Sequence, residues 1–269
     1  YYHFISNILT SFDSEFDSLQ AKLEDISKRV FNKKYLTIGI IGENENVSNL
    51  NKEIHQIIEQ IPYNEIPLEQ YNFNPKILNE GLIIPGRVQY VTQGYNFKKL
   101  GFTFSGSMSV FGRLAGLDYL WNTVRAQGGA YGSFVSINRN GNTIFSSYRD
   151  PNLSKTFTAY KGIAGYLKRF NPSDREMRKY IIGTVSALDK PLSPLMKGET
   201  AIARHFKQIS DDIIQKHREE VLGTEKKNIQ DLSSIMEEVL NKKMICVVGN
   251  ETKLTENKSI FGEVTPIFN

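Results

Sequence analysis

Cysteine, tryptophan and histidine are scarce in this sequence, with one, one and four residues among 269. A single cysteine excludes a disulfide framework within the chain. Cys246 lies in the apolar run 244–248, which favours a small buried side chain over a reactive thiol. Zinc motifs of the forms H-E-x-x-H and H-x-x-E-H are both absent from the sequence. The histidines are His3, His55, His205 and His217.

The nearest approach to a zinc motif lies in the segment 217–221. It begins with His217, but Val221 stands where the second histidine of the inverted motif should be. We therefore predict that His217 and Glu220 form a solvated pair on one helix and do not bind metal. The sequence also lacks a G-x-S-x-G nucleophile motif and a phosphate-binding P-loop, so it contains no recognisable catalytic centre of its own.

Strong charge of one sign and long apolar runs are missing too. The net charge of +4 is spread along the chain, which gives little support to nucleic-acid binding. No stretch approaches the roughly 20 apolar residues that span a bilayer, so no membrane partner is predicted and the chain is expected to be soluble. Residues 1–10 contain no methionine and no basic targeting segment, which predicts a fragment of a longer protein. The compartment stays unknown: cytoplasmic for a bacterial source, organellar for a eukaryotic one.

The pattern of apolar residues predicts a mixture of helices and strands, hence an α/β or α+β layered fold. Helical spacing predicts helices over 12–31, 50–61, 107–127 and 153–167, and again between 173 and 239. Short β-rich runs predict strands at 35–42, 88–92, 100–104 and 244–248, with 63–86 as a long connection. Asn140-Gly141 predicts a hairpin over 134–148 with a type I′ turn. Ser173 and Glu176 predict a capping box.

A weak internal repeat relates residues 30–42 to residues 239–249. Both segments read as a helix end, Asn-Lys-Lys, a β-rich run and glycine. Two explanations stay open: a duplicated structural unit, or the common use of lysine to close helices and glycine to close strands.

The segment 120–132 ends a predicted helix with Arg125, turns at Gly128 and Gly129, and begins a strand after Tyr131. Two interpretations are open. In the structural one, the arginine complements the helix dipole, the glycines cap the helix and the tyrosine packs. In the functional one, the glycines let a bound chain approach the backbone, while Arg125 and Tyr131 present hydrogen-bond donors at a cleft.

The pattern R-x-x-G-G-A-Y-G over 125–132 resembles the C-terminal region of presequence proteases and falcilysins, together with the hairpin and the Asp150-Pro151 helix start that follow it. These proteins form a branch of the pitrilysin/insulinase superfamily (peptidase family M16) of zinc metallopeptidases. The resemblance implies a clamshell of two halves around a chamber, with the zinc motif in the N-terminal half. It also implies that residues 1–269 are essentially one C-terminal α/β domain, with 1–34 as a leading helical segment able to continue from the preceding domain.

The resemblance further implies a parent enzyme that degrades peptides as a zinc metalloendopeptidase. Zinc, its bound water and a glutamate base would come from the N-terminal half, which would be the partner of this chain together with peptide substrates. Arg125 and Tyr131 map onto family residues that reach the scissile peptide, and Gly128 and Gly129 would leave the approach to it open. An alternative is an inactive relative that binds polypeptides or acts as a scaffold; a nucleotide-binding protein is disfavoured by the missing phosphate loop.

Overall fold

A computed structural model describes residues 2–67, 70–73 and 79–268 of the chain. Helices and strands both occur in this part, which confirms the predicted layered class of sheet and helices. Its α-helices are α1 Tyr2–Val30, α2 Asn44–Gln60, α3 Gly106–Leu117, α4 Ser154–Lys168, α5 Asp174–Leu188, α6 Pro194–Phe206, α7 Asp211–Leu222, α8 Lys226–Asn241 and α9 Glu251–Glu256. Its strands are β1 Glu80–Ile83, β2 Gln89–Asn96, β3 Gly132–Ile137, β4 Asn142–Asp150, β5 Ile245–Gly249 and β6 Glu263–Pro266.

The chain divides into two compact units, Tyr1–Asn74 with Pro191–Ile209, and Pro75–Lys190 with Ser210–Asn269. We describe each unit by itself. The assignment of residues 1–269 to one C-terminal domain stays a prediction.

The first unit contains α1, α2 and α6, and its two leading helices confirm the predicted ones. The predicted strand at 35–42 is wrong: Lys33–Tyr35 is a 3₁₀ turn, and residues 36–41 have no regular secondary structure. Their apolar side chains meet a helix instead of a strand, because Ile41 packs against Gly198 of α6 and Ile202 of α6 packs against Gly39. Of the two repeated segments, therefore, only 239–249 folds as a helix followed by a strand.

The second unit is built on one mixed sheet with the strand order β3-β4-β2-β5-β1-β6. β1 runs parallel to β5 and β6, and the other neighbours are antiparallel. The sequence prediction missed β1 within the proposed connection 63–86, of which residues 68–69 and 74–78 lie outside the described residues. It also missed α9 and β6 after the strand predicted at 244–248. β1 and β6 have four residues each, too few for a readable alternation of side chains.

The two faces of this sheet differ in burial. Val91, Phe145 and Val247 are fully buried on one face, where α8 packs against β2 and against α4. Each fully buried side chain of this size contributes about 1.5–3 kcal/mol to the free energy of unfolding. Phe134 and Tyr148 on the opposite face are exposed by 58% and 40%. One sheet face thus carries the core and the other presents side chains to solvent.

The hairpin of β3 and β4 is confirmed, but its predicted type I′ turn is wrong. Of the two turn residues only Gly141 has a positive φ, of 102°, and its N–H donates to the carbonyl of Asn138. This is the pattern of a type I turn followed by a left-handed glycine. The Asn96 side chain holds the turn by donating to the Asn140 carbonyl at 3.1 Å.

The strand predicted at 100–104 is also wrong, and Asn96 explains why. Its side chain accepts from the backbone N–H groups of Lys98 and Lys99, which starts a 3₁₀ turn over Phe97–Leu100. Gly101 ends the turn with a φ of 88°. A local side-chain acceptor therefore competes successfully with strand formation.

The helices α4, α5 and α8 confirm the predicted helical pattern, and the capping box of Ser173 and Glu176 is present at the start of α5. Within the described ranges, no helix has both the length and the apolar character needed to cross a membrane.

Candidate functional site

A cleft of about 500 Å³ lies in the second unit, next to the start of β3. Three of the four residues predicted for the site line it, and Gly128, the fourth, adjoins them in the chain. No acidic residue belongs to the lining, whereas two arginines do, so the cleft favours anionic or electron-rich groups. The lining residues are Trp121, Arg125, Ala126, Gly129, Ala130, Tyr131 and Arg149.

The helix predicted over 107–127 is only partly correct. α3 ends at Leu117, and after a short turn the residues Trp121–Ala126 form a π-helix. Its hydrogen bonds join residues five positions apart, as in the bond from the Gln127 N–H to the carbonyl of Asn122 at 3.0 Å. Short π segments occur often at functional sites, because they change the direction of the side chains that follow a regular helix. Arg125 lies in this segment.

Two tyrosines fix the break between α3 and the π-helix. The Tyr166 hydroxyl donates to Asp118 Oδ2 at 2.6 Å, and the Tyr119 hydroxyl donates to the Ala159 carbonyl at 2.8 Å. Burial raises the pKa of Tyr166, and its hydrogen bond to Asp118 raises that pKa further, so Tyr166 stays a proton donor near neutral pH. Gly162 leaves the space that the Tyr119 hydroxyl occupies.

Gly128 and Gly129 follow the end of the π-helix, at the place where the sequence predicted the end of a helix. A Cβ atom at Gly128 would overlap the Val124 carbonyl. Gly129 has a φ of 80° and donates its N–H to the Arg125 carbonyl at 2.8 Å. The Asn152 side chain donates to the Gly128 carbonyl and ties this turn to the segment after β4. Both glycines are therefore required by backbone geometry, whatever a ligand does.

The guanidinium of Arg125 lies against two aromatic rings. Its guanidinium carbon lies 4.1 Å from the centre of the Trp121 ring and 5.7 Å from the centre of the Tyr131 ring. Trp121 is 45% exposed and Tyr131 is 66% exposed. Stacking orients the planar guanidinium while its N–H edge stays available for a ligand.

A β-bulge shapes the part of the cleft that is formed by the end of β4. Gln89 pairs with Asp150 but Val91 pairs with Ser147, so Tyr148 and Arg149 of β4 together face one residue of β2. The Tyr131 N–H donates to the Tyr148 carbonyl at 3.1 Å, and the two tyrosine rings meet edge to face at 5.8 Å. The bulge thus links the start of β3 to the end of β4 inside the site.

Asp150, the residue after the bulge, anchors it in the core. Its fully buried carboxyl group accepts from the Thr156 hydroxyl at 2.7 Å and from the Asn152 N–H at 2.8 Å. Tyr160, buried nearby, donates to the Val91 carbonyl at 3.2 Å. Burial raises the pKa of Tyr160, and the charge of Asp150 raises it further. This support comes from α4 and from the residues just before it, and none of these side chains lines the cleft.

We expect Asp150→Ala to lower the free energy of unfolding by about 2 kcal/mol, because it leaves the buried hydroxyl of Thr156 and the part-buried N–H of Asn152 without an acceptor. Denaturant unfolding measures the change. Asp231→Ala, at an exposed position of α8, is the control and should stay within about 0.5 kcal/mol of the unchanged chain. Equal effects of the two substitutions would contradict the anchoring role.

The prediction of a solvated pair for His217 and Glu220 is wrong, because both side chains are half-buried and make tertiary contacts. Glu220 accepts from the Gly106 N–H at 2.8 Å, at the start of α3. The His217 ring packs on Phe104, and its Nε2 lies 3.3 Å from Ser109 Oγ. Burial lowers the pKa of His217. The sequence pattern missed these contacts because their partners lie more than 100 residues away in the chain.

Cys246 is half-buried on the open face of the sheet and was predicted to be buried. Burial raises the pKa of its thiol, and the neighbouring Glu80 raises it further. A thiol that stays protonated is a poor nucleophile, which agrees with the predicted lack of reactivity.

The sequence analysis missed Trp121 and Arg149 as cleft residues. Trp121 could have been found from its spacing of four residues to Arg125, which stacks side chains on one side of a helical segment. Arg149 has no comparable signal, because its place depends on the bulge and on a φ of 48° that sequence patterns assign to glycine or asparagine.

Comparison with known proteins gives a consistent result. A family model described as the PreP C-terminal domain matches residues 79–252. Protein HypA of Clostridium perfringens is 36% identical over 267 residues, which cover 99% of this chain and 27% of that protein. Presequence protease 1, chloroplastic/mitochondrial, of Arabidopsis thaliana is 27% identical over 252 residues, which cover 93% of this chain and 23% of that protein. The chain spans about a quarter of the length of these curated relatives.

A solved structure described as the peptidase M16 inactive domain from Pseudomonas fluorescens has a TM-score of 0.51 and 14% identity, and the match covers 76% of this chain and 50% of that one. At this identity the likeness concerns the fold alone. It agrees with the mixed sheet and helices of the second unit.

Proposed function

This chain belongs to the PreP C-terminal domain family, and on that premise we propose that it is the part without zinc of a zinc metalloendopeptidase that degrades peptides. The parent enzyme would close around its substrate, with this chain opposite an N-terminal half that carries the metal. The observation that carries the proposal is the open cleft in which Arg125 and Tyr131 stand side by side.

In this proposal Tyr131 stabilises the transition state of peptide hydrolysis. Its ring is held by Tyr148 and by Arg125, while 66% of its surface is exposed. A hydroxyl held in this way can donate a hydrogen bond to the oxyanion that forms at the attacked carbonyl carbon. Such a donor needs no reorganisation as negative charge develops, which is the source of its catalytic effect.

Arg125 would bind a substrate carbonyl or carboxylate. Stacking on Trp121 fixes the plane of its guanidinium, so its donors are oriented before substrate arrives. Gly128 and Gly129 add no side chain to this edge of the cleft, which would leave room for an extended peptide backbone. The substrate partner of the chain is thus a peptide in an extended conformation.

The residues that the structure describes do not fit a zinc site. Across 2–67, 70–73 and 79–268 there is no group of three or more His, Cys, Asp or Glu side chains that could hold a metal ion. Structural and catalytic zinc sites take at least three such protein ligands. We therefore assign zinc, as the cofactor of the full-length enzyme, to the N-terminal half.

The proposal is tested with the full-length protein and with the 269-residue chain in parallel. We expect the full-length protein to cleave unstructured peptides, to lose activity on dialysis against a chelator, and to regain it when zinc is returned. We expect the 269-residue chain to retain no stoichiometric zinc and to cleave no peptide. A full-length protein that binds peptides without cleaving them would favour the alternative of an inactive polypeptide-binding or scaffold subunit. Stoichiometric zinc and peptide cleavage by the short chain would contradict the assignment.

A further inference from the structure

A second arginine, Arg149, faces the same cleft and has no role in the reaction proposed above. It is exposed, it lines the cleft with Arg125 and Tyr131, and its guanidinium carbon lies 5.7 Å from the centre of the Tyr148 ring. Four side chains form a series of contacts in the order Arg125, Tyr131, Tyr148 and Arg149, with each tyrosine ring next to one guanidinium and to the other ring. The two cations are therefore separated by a pair of rings that meet edge to face.

The backbone at Arg149 is strained in a way that serves its position. Its φ is 48°, in the left-handed region that favours glycine and asparagine. Two contacts hold this backbone conformation. The Tyr131 N–H lies 3.4 Å from the Arg149 carbonyl, and the next residue, Asp150, is anchored in the core. Bulges commonly re-aim a side chain beside a functional site. Here the bulge places Arg149 in the lining of the cleft and the Tyr148 ring against Tyr131.

Neither cleft arginine forms an ion pair with a residue that the structure describes, whereas Arg29 and Arg218 each pair with an aspartate. A guanidinium presents a planar fork of donors that matches the two oxygens of a carboxylate. The cleft contains two such guanidinium groups, and none of its described lining residues is acidic. A carboxylate from a ligand would therefore find hydrogen-bond donors there that no side chain of the lining neutralises. Arg125 is already assigned to one substrate carbonyl or carboxylate, so the second fork is available to another part of the substrate.

We propose that Arg149 is a specificity residue that binds a carboxylate of the peptide substrate near the scissile bond. This proposal rests on the function proposed above and adds a substrate class to it: peptides with an acidic side chain, or a C-terminal carboxylate, beside the cleaved bond. Both sources offer the same two oxygens to the guanidinium, and the experiment below separates them.

The test compares two pairs of peptides in the full-length enzyme. One pair differs by Glu or Gln next to the cleaved bond, and the other by a free or amidated C-terminus at that side. We expect kcat/KM to favour one carboxylate-bearing member about tenfold, mainly through KM, as for one charge-assisted hydrogen-bonded pair. The pair that shows the difference identifies which carboxylate is bound.

Arg149→Asn should abolish this preference, because asparagine fits a positive φ and carries no charge. Arg149→Lys should keep part of it. Arg139→Ala, which removes one positive charge from the turn of the same hairpin outside the cleft, should leave the preference intact. If Arg149→Asn weakens cleavage of both members of a pair equally, or if the wild-type enzyme shows no preference in either pair, the proposal is overturned.

A binding measurement keeps this proposal separate from the function on which it rests. Trp121 is the single tryptophan of the 269-residue chain and lies in the cleft, so its fluorescence reports occupancy. We expect the carboxylate-bearing peptide to bind about tenfold more tightly than its neutral partner, and Arg149→Asn to remove that difference. A preference in binding without cleavage by the full-length enzyme would reject the peptidase and retain the carboxylate site. Equal binding of both peptides would reject the carboxylate site alone.

Discussion

Tyr131→Phe is expected to lower kcat of the full-length enzyme about 100-fold with little change in KM, as other oxyanion donors do. The substitution removes one hydroxyl and leaves the ring in place against Tyr148 and Arg125. It therefore removes a hydrogen bond that forms only as negative charge develops, without opening a cavity. Steady-state kinetics on a peptide substrate measure the change in kcat and KM. The thermal midpoint of unfolding should stay unchanged, which shows that the fold is intact.

Tyr90→Phe is the matched control, because Tyr90 lies on the same sheet face one ring further from the cleft, 5.3 Å from Tyr148. It should change kcat by less than about twofold. If Tyr131→Phe gave an equally small change, Tyr131 would have a packing role only. A raised KM at constant kcat would instead place its hydroxyl in ground-state binding of the peptide.

Arg125→Lys should reduce kcat/KM by roughly 10- to 100-fold, the range expected when a charge-assisted and oriented hydrogen bond is lost. Lysine keeps the positive charge but cannot form the planar fork, and it loses the close stacking on Trp121. The thermal midpoint should stay within a few degrees, because Arg125 makes no ion pair with a described residue and is only half-buried. Kinetics and thermal unfolding on the same preparation separate the two quantities.

Arg139→Lys serves as the control for Arg125, since it makes the same change on an exposed arginine outside the cleft. It should leave kcat/KM within about twofold. A fall in the midpoint by many degrees in Arg125→Lys, with activity that merely follows the folded fraction, would contradict the substrate-binding role. The arginine would then act as a structural residue at the end of the π-helix.

Elements with strong local signals could be predicted from the sequence. The helices α4, α5 and α8 follow their apolar periodicity, and the hairpin follows Asn140-Gly141. Segments whose partners are distant could not be predicted. Residues 36–41 have the composition of a strand but pack on α6, and β1 owes its structure to β5 and β6. Composition indicates only that such a segment is apolar. Its tertiary contacts determine whether it becomes a strand of the sheet or packs on a helix without regular structure.

The candidate site shows the same division. Arg125 and Tyr131 could be named because they belong to the contiguous pattern R-x-x-G-G-A-Y-G that carries the family resemblance, whereas the residues alone left a structural and a functional interpretation open. Arg149 could not, because it enters the cleft through a bulge and a left-handed backbone that arginine rarely adopts. The π-helix was equally hidden, since it depends on the tertiary hydrogen bonds of Tyr119 and Tyr166 to their partners.

The strand order of the sheet has a consequence for the nascent chain on the ribosome. The hairpin β3–β4 and its neighbour β2 are close in sequence and have low contact order, so they can pair early. β1 is made before all of them, yet both of its neighbours, β5 and β6, are made last. Until then the open edges of β1 and β2 can template association with other chains. A truncation ahead of Ile245 would therefore remove β5 from the middle of the sheet and β6 from its edge.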